Sequence, residues 1–159
     1  MKSLFPVSPE INQIRAVLKL IKDNNGSIGL ARLSKEAHDD IDNLLPFLEA
    51  SKILGFAKVS GGNIRLTALG SRLGLSNYQG IIRSRIRGVE PFKSVVSVLS
   101  RDEMTTGELA KALEGKGISL YNDKVTNELL LRNLLIAWGV RSGLLDYDAR
   151  RDLWSVRKR

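Results

Sequence analysis

Few side chains in this sequence belong to the types that do covalent or metal chemistry, and their spacing excludes most of that chemistry. The one histidine, His38, stands beside Asp39 and Asp40, with Asp42 close behind. One histidine and no cysteine cannot assemble a zinc site of the usual N/S kind. The three aspartates are hard oxygen donors, but the remaining ligands and the glycine of an EF-hand loop are missing. They read as acids at a helix N-terminus, where the macrodipole favours them, and His38 reads as a solvated turn residue. Gly115-Lys116-Gly117 has the composition of a phosphate loop without its order. Ala110 stands where the first glycine must be, and Gly117 where serine or threonine must be. No nucleophile motif is present. The expectation is a non-enzymatic chain with no metal and no cofactor.

The chemistry that remains is electrostatic. The 159 residues carry 25 Lys and Arg against 17 Asp and Glu, a net charge of +8. That excess permits a nucleic acid, an anionic membrane surface or an acidic protein as partner. Residues 1–76 hold 10 basic and 7 acidic side chains (+3), and residues 77–159 hold 15 and 10 (+5). The candidate nucleic-acid contacts lie in the second half: Lys124, Asn127 and Arg132 on a long helix, Arg150 and Arg151 in a turn, and Arg157, Lys158 and Arg159 at the tail. Arg83, Arg85 and Arg87 add a further cluster. The competing reading of these cations is solvated surface groups and salt-bridge partners.

The elements that must position them follow from periodicity. Ser8-Pro9-Glu10 reads as a helix start, with serine as N-cap and proline at the first helical position. Ile11, Ile14, Val17, Leu18 and Ile21 then recur at helical spacing. Ser27-Ile28-Gly29 is extended with Ile28 inward, and Leu30, Leu33 and Ala37 mark a second, short helix. Leu44, Leu45, Phe47, Leu48, Ile53 and Leu54 give a third, stopped by Gly55. Phe56–Val59 and Asn63–Leu66 are short strands around Ser60-Gly61-Gly62, where a tight hairpin needs positive φ. A short helix over Thr67–Gly74 follows.

The second half repeats the plan. Tyr78, Ile81, Ile82 and Ile86 mark a linking helix, and Phe92, Val95, Val96, Val98 and Leu99 the next. Thr105 and Glu108 match a capping box, followed by Leu109, Ala112 and Leu113. A single long helix is expected from Asp123 to Arg141, with Val125, Leu129, Leu130, Leu134, Leu135 and Trp138 as its apolar positions. Gly143 ends it, and Leu144–Tyr147 and Leu153–Val156 form a ribbon around Asp148–Asp152. Ile28, Leu33 and Ala37 map onto Met104, Leu109 and Leu113, each 76 residues on, and Gly55 maps onto Gly143, 88 on. The expected fold is mainly α with small β ribbons, a tandem winged helix-turn-helix divided into residues 1–76 and 77–159. A winged helix that reads DNA sends its third helix into the major groove. Asp39, Asp40 and Asp42 at the start of the first unit's third helix repel phosphate, and Pro46 lies inside that helix. The second unit, with a mixed face, is the better candidate.

At Asp42–Ala50, Leu54-Gly55-Phe56-Ala57 and Ile64–Gly70 the sequence resembles the C-terminal AAA-associated domain, whose pattern runs DLLPLVEAAELLGFAEV. That domain follows the ATP-binding cassette in nitrate/sulfonate/bicarbonate-type ABC transporter ATPases. Ile136-Ala137-Trp138-Gly139 and Gly143–Asp148 resemble its AIDWGRYAELFAYD block. The resemblance extends from about Ser8 to Val156; Ala68 replaces the family's usual proline, and no cassette or Walker motif is in the sequence. It implies a non-catalytic accessory or regulatory module that acts on an ABC ATPase in trans, or a freed module used for something else; the exposed edges of the two ribbons separately allow a second copy as partner, in a homodimer. The alternative is a DNA-binding transcriptional regulator. No apolar run is long enough to cross a membrane and Met1–Pro6 does not form a signal peptide, so no membrane insertion and a cytoplasmic location are expected.

Overall fold

A computed structural model describes residues 4–7 and 9–158 of the chain. It is mainly helical, with one three-stranded and one two-stranded antiparallel sheet. The chain divides into two compact units, Ser8–Tyr78 and Gln79–Arg159, the second also taking in Met1–Val7.

In the first unit α1 (Ile11–Asp23) buries Ile11, Ile14, Val17, Leu18 and Ile21, the apolar positions that the spacing predicts. Its start differs from expectation. Glu10 is the N-cap, with extended backbone and no side-chain cap bond. Pro9 therefore precedes the cap instead of opening the helix, and Ser8 lies outside the described residues. β1 (Ser27–Gly29), α2 (Leu30–Ala37) and α3 (Ile41–Ile53) follow, then β2 (Ala57–Ser60) and β3 (Asn63–Leu66). The sheet order is β1-β3-β2, with Ile28 opposite Ile64 and both buried. Gly61 and Gly62 both have positive φ, as the two-residue hairpin requires.

β2 starts one residue later than the sequence suggests. Gly55, at φ +81°, turns the chain so that Phe56 donates its N–H back to the Ser51 carbonyl at 2.8 Å. Phe56 is thus part of the helix stop, and its ring is fully buried. The helix expected over Thr67–Gly74 is a single turn, α4 (Ala68–Ser71), capped by the Thr67 hydroxyl. A Cβ on Gly70 would lie 2.0 Å from the Phe56 carbonyl oxygen, so only glycine lets this turn close onto the junction.

The chain passes into the second unit after the first residue of α5 (Tyr78–Ile86), and that unit goes on with α6 (Phe92–Leu99), α7 (Thr106–Glu114) and α8 (Lys124–Leu134). A π-helical stretch over Leu135–Val140 follows, then β4 (Leu145–Asp148) and β5 (Leu153–Val156). Its core gathers Phe92, Leu109, Leu134, Leu135, Trp138, Leu145 and Trp154, all fully buried. Phe5 joins them, edge-on to Phe92 and to Trp138. Thr105 and Glu108 form the full capping box at α7.

The helix expected over Asp123–Arg141 is one continuous helical run, capped by Asp123, that passes from α to π winding at Leu135. Of its expected apolar positions Leu134, Leu135 and Trp138 are fully buried, but two others face solvent. Val125 is 73% and Leu129 50% exposed. The buried side runs instead through Asn127, Leu131, Leu134, Leu135 and Trp138.

Both units share one sequence of elements: helix, extended residue, helix, helix, ribbon. Ile28 lies in a three-residue ladder with β3, and its counterpart Met104 makes a single bridge to Trp154 of β5. Leu30, the first residue of α2, donates its N–H to the Gly62 carbonyl at 2.8 Å. Thr106, the first residue of α7 and 76 residues on, donates its N–H to the Asp152 carboxylate at 3.2 Å.

Candidate functional site

The candidate nucleic-acid contacts belong to α8 and to the β4–β5 ribbon, and the ribbon separates them. Leu145 pairs with Val156 at its base and Asp148 with Leu153 at its turn. Four-residue strands place the turn and the base roughly 10 Å apart. Arg150 and Arg151 sit at the turn, Arg157 and Lys158 beyond the base, and Arg159 lies outside the described residues.

The ribbon's own carboxylates hold two of these cations. Arg151 donates from Nε to Asp148 at 2.8 Å, and the Asp148 carboxylate also accepts from the backbone N–H groups of Arg150 and Arg151. The Arg151 side-chain bond and then its backbone bond hold the Asp148 carboxyl below the usual carboxylate range. Arg157 donates from Nε to Asp146 at 2.8 Å. Its guanidinium and that of Arg83 both approach Gly143, where a Cβ would meet Arg83 at 3.1 Å. Arg83 donates to the Ser142 carbonyl.

Two other sequence-predicted contacts are turned inward. Asn127 is 3% exposed. Its Oδ1 accepts from the backbone of Leu120 at 2.7 Å and Tyr121 at 3.2 Å, fixing the loop ahead of α8. Arg132 is half-buried and its Nε is buried without a hydrogen-bond partner. Its charge acts on Tyr147 and Asp152, within the protein. Lys124, Arg150 and Lys158 remain exposed, with no carboxylate partner among the described residues.

Sequence reading missed a polar cluster under the ribbon turn. Asp152 accepts from the Thr106 hydroxyl at 2.5 Å, from the Thr106 N–H at 3.2 Å and from the Tyr147 hydroxyl at 2.7 Å. The Trp154 indole N–H donates to Thr106 Oγ1 at 2.9 Å, and the Tyr147 and Trp154 rings stack at 4.1 Å. Burial pushes the Asp152 carboxyl up, but the bonds from Thr106 and Tyr147 outweigh it and hold the group below its ordinary value. Burial, then the bond to Asp152, raises the Tyr147 phenol.

Also missed was the outward side of α8. Val125 and Leu129 stand one turn apart on it, and Tyr121, 55% exposed, precedes them in the loop. The i, i+4 spacing marks one face. The sequence signal was ambiguous because apolar residues surround the helix. α3 likewise exposes Ile41 and Leu45 one turn apart. At its start Asp39, Asp40 and Asp42 are all exposed, and Asp39 accepts from the Asp40 N–H and the Asn43 side chain. His38 closes α2 in the left-handed region and is exposed. No metal-binding group of three or more His, Cys, Asp or Glu occurs among the described residues. Among the same residues no helix is long and apolar enough to cross a membrane.

The family model described as the C-terminal AAA-associated domain matches residues 31–148, more than half of the chain and parts of both units. No curated protein and no solved structure gives a significant match. The chain belongs to the C-terminal AAA-associated domain family.

Proposed function

We propose that this member of the family is a non-catalytic accessory module, a pair of winged helices that works by docking on a protein partner in the cytoplasm. The reading takes each ribbon as the wing and α3 and α8 as the third helices. The observation that carries it is what those helices offer to solvent. α8 exposes Val125 and Leu129 behind Tyr121, and α3 exposes Ile41 and Leu45 behind three carboxylates. A groove reader needs donors and cations at these places; apolar side chains one helical turn apart suit a protein surface.

The partner expected from the family is a cassette ATPase, engaged in trans. The test is site-specific photo-crosslinking in the native cell from position 125, with position 93 on α6 as a control. A cassette ATPase or its permease should be captured from position 125 and lost on Leu129→Asp. Capture of neither component from position 125 overturns the assignment.

DNA binding is the second reading, and the exposed, unpaired Lys124, Arg150 and Lys158 favour it. Fluorescence anisotropy with duplex DNA at low and moderate salt separates the two. Three phosphate contacts give a slope of log K against log salt of roughly −3. Absence of binding at low salt removes this reading.

A further inference from the structure

The first unit contains a cavity of about 570 Å³ that neither reading uses. It lies between α1 and the segment that leaves the ribbon, and its volume falls within the roughly 300–1,000 Å³ of ligand pockets. Leu18 and Gly70 form a buried floor, Leu73 is half-buried at the wall, and Leu75 stands at the mouth 80% exposed.

The polar groups of the rim converge from α1. Arg15, Lys19 and Lys22 line the cavity at i, i+4 and i+7, which is one face of the helix. Their states differ. Lys19 is paired with Asp23 at 3.1 Å. The Arg15 guanidinium lies 4.6 Å over the Tyr78 ring, which fixes its position without neutralising it. Lys22 has no carboxylate partner among the described residues. The rim therefore keeps two uncompensated positive charges beside an apolar wall. The opposite wall is preformed: Asn77 accepts from the Gly74 N–H at 2.7 Å and donates to the Arg72 carbonyl at 2.8 Å, while Gly70 is locked against Phe56.

We propose that this cavity binds an organic anion with an apolar tail, its carboxylate between Arg15 and Lys22 and its chain along Leu18, Leu73 and Leu75. Charge complementarity selects the head, and covering Leu75 supplies apolar burial that the free protein lacks. Such binding is independent of which partner the chain docks on.

The probe is sodium octanoate, well below its micellar range, titrated into the full chain and followed by amide shifts in ¹H–¹⁵N NMR. Saturable shifts are expected at Arg15–Asp23 and Gly70–Leu75. Lys22→Gln should weaken binding about tenfold, the scale of one charge-assisted hydrogen bond. Lys93→Gln, in the second unit, should leave it unchanged. Octan-1-ol should bind more weakly for want of the charge, and butyrate for want of the tail. Because Lys22 is exposed, the variant keeps its fold, and the same spectra report it. Non-saturating shifts, shifts centred elsewhere, or equal binding of octanoate and octanol would overturn the proposal.

Discussion

Asp152→Asn isolates the ion under the second ribbon turn with little change of shape. Asparagine tolerates the left-handed backbone that Asp152 adopts at φ +49°, so backbone strain does not confound the comparison. The carboxylate accepts three hydrogen bonds, two from Thr106 and one from Tyr147. Asparagine keeps one acceptor oxygen and turns an NH₂ toward a group that was donating. Thr106 is 1% exposed and its hydroxyl already accepts from Trp154, so water cannot readily repair the loss. Losing the charge on a multiply bonded carboxylate costs about 1–2 kcal/mol here. With a urea m-value of about 1–3 kcal/mol/M, the midpoint falls by roughly 0.3–2 M.

Both tryptophans, Trp138 and Trp154, are buried in the second unit, so fluorescence reports that unit. Tyr147→Phe supplies the cycle, since it removes one donor to the same carboxylate. The double variant should lose less than the two singles together, by about 0.5–1 kcal/mol. The pH dependence has a fixed sign. The folded carboxyl lies below its unfolded value of about 3.9. Its contribution is therefore present above that value and fades as pH falls through the folded one. The gap between wild type and Asp152→Asn should close below about pH 4. An unchanged midpoint, or strict additivity with Tyr147→Phe, would refute the network as a stabilising unit.

Gly70→Ala should destabilise the first unit by about 3 kcal/mol, the upper end for overpacking, because the methyl meets a backbone carbonyl; calorimetry checks it. Gly80→Ala, within α5 and at ordinary contact distance from Arg83, should gain about 0.5–1 kcal/mol. On α8, Leu131→Ala should cost about 2–5 kcal/mol, whereas Leu129→Asp should stay within about 0.5 kcal/mol of wild type. At α7, the Thr105 backbone bond and then its hydroxyl bond hold the Glu108 carboxyl low. Glu108→Gln should thus flatten the acid limb below about pH 4.3 in a circular-dichroism melting series, and leave stability at pH 7 the most affected.

What was legible in the sequence was local. The α1 stripe, the Gly61-Gly62 turn, the capping box at Thr105 and Glu108, and Gly55 and Gly143 as stops each follow from residues within a few positions of one another. The face of α8 was not, because Val125 and Leu129 recur at the same helical interval as Leu131, Leu134, Leu135 and Trp138. Periodicity cannot choose between two apolar sides of one helix, and the packing partner makes the choice. Asn127 misled for the converse reason: its polarity suggests a surface, but two backbone N–H groups of the preceding loop needed an acceptor. Among the cations, Arg151 could have been paired in advance, since Asp148 lies three residues before it. Arg157 and Asp146, 11 residues apart, meet only because β4 and β5 pair in this register.

The least legible feature, the Asp152 cluster, becomes intelligible once the two units are laid over each other. In the first, β1 is held by a three-residue ladder, and Leu30 ties the start of α2 to the hairpin through the Gly62 carbonyl. In the second the ladder is reduced to the Met104–Trp154 bridge. The same tether, from the first residue of the second helix to the last residue of the ribbon turn, runs from Thr106 to a carboxylate. Side-chain hydrogen bonds thus occupy the place of main-chain ones. Main-chain bonds are available to almost any residue, so Gly62 could be chosen for its turn alone. A tether made by a side chain requires particular residues at both ends, 46 positions apart, with Tyr147 and Trp154 to complete it. It follows that the second unit should be the one that tolerates substitution least at its ribbon turn. Of the two ribbons only its stability should depend on the ionisation of a turn residue.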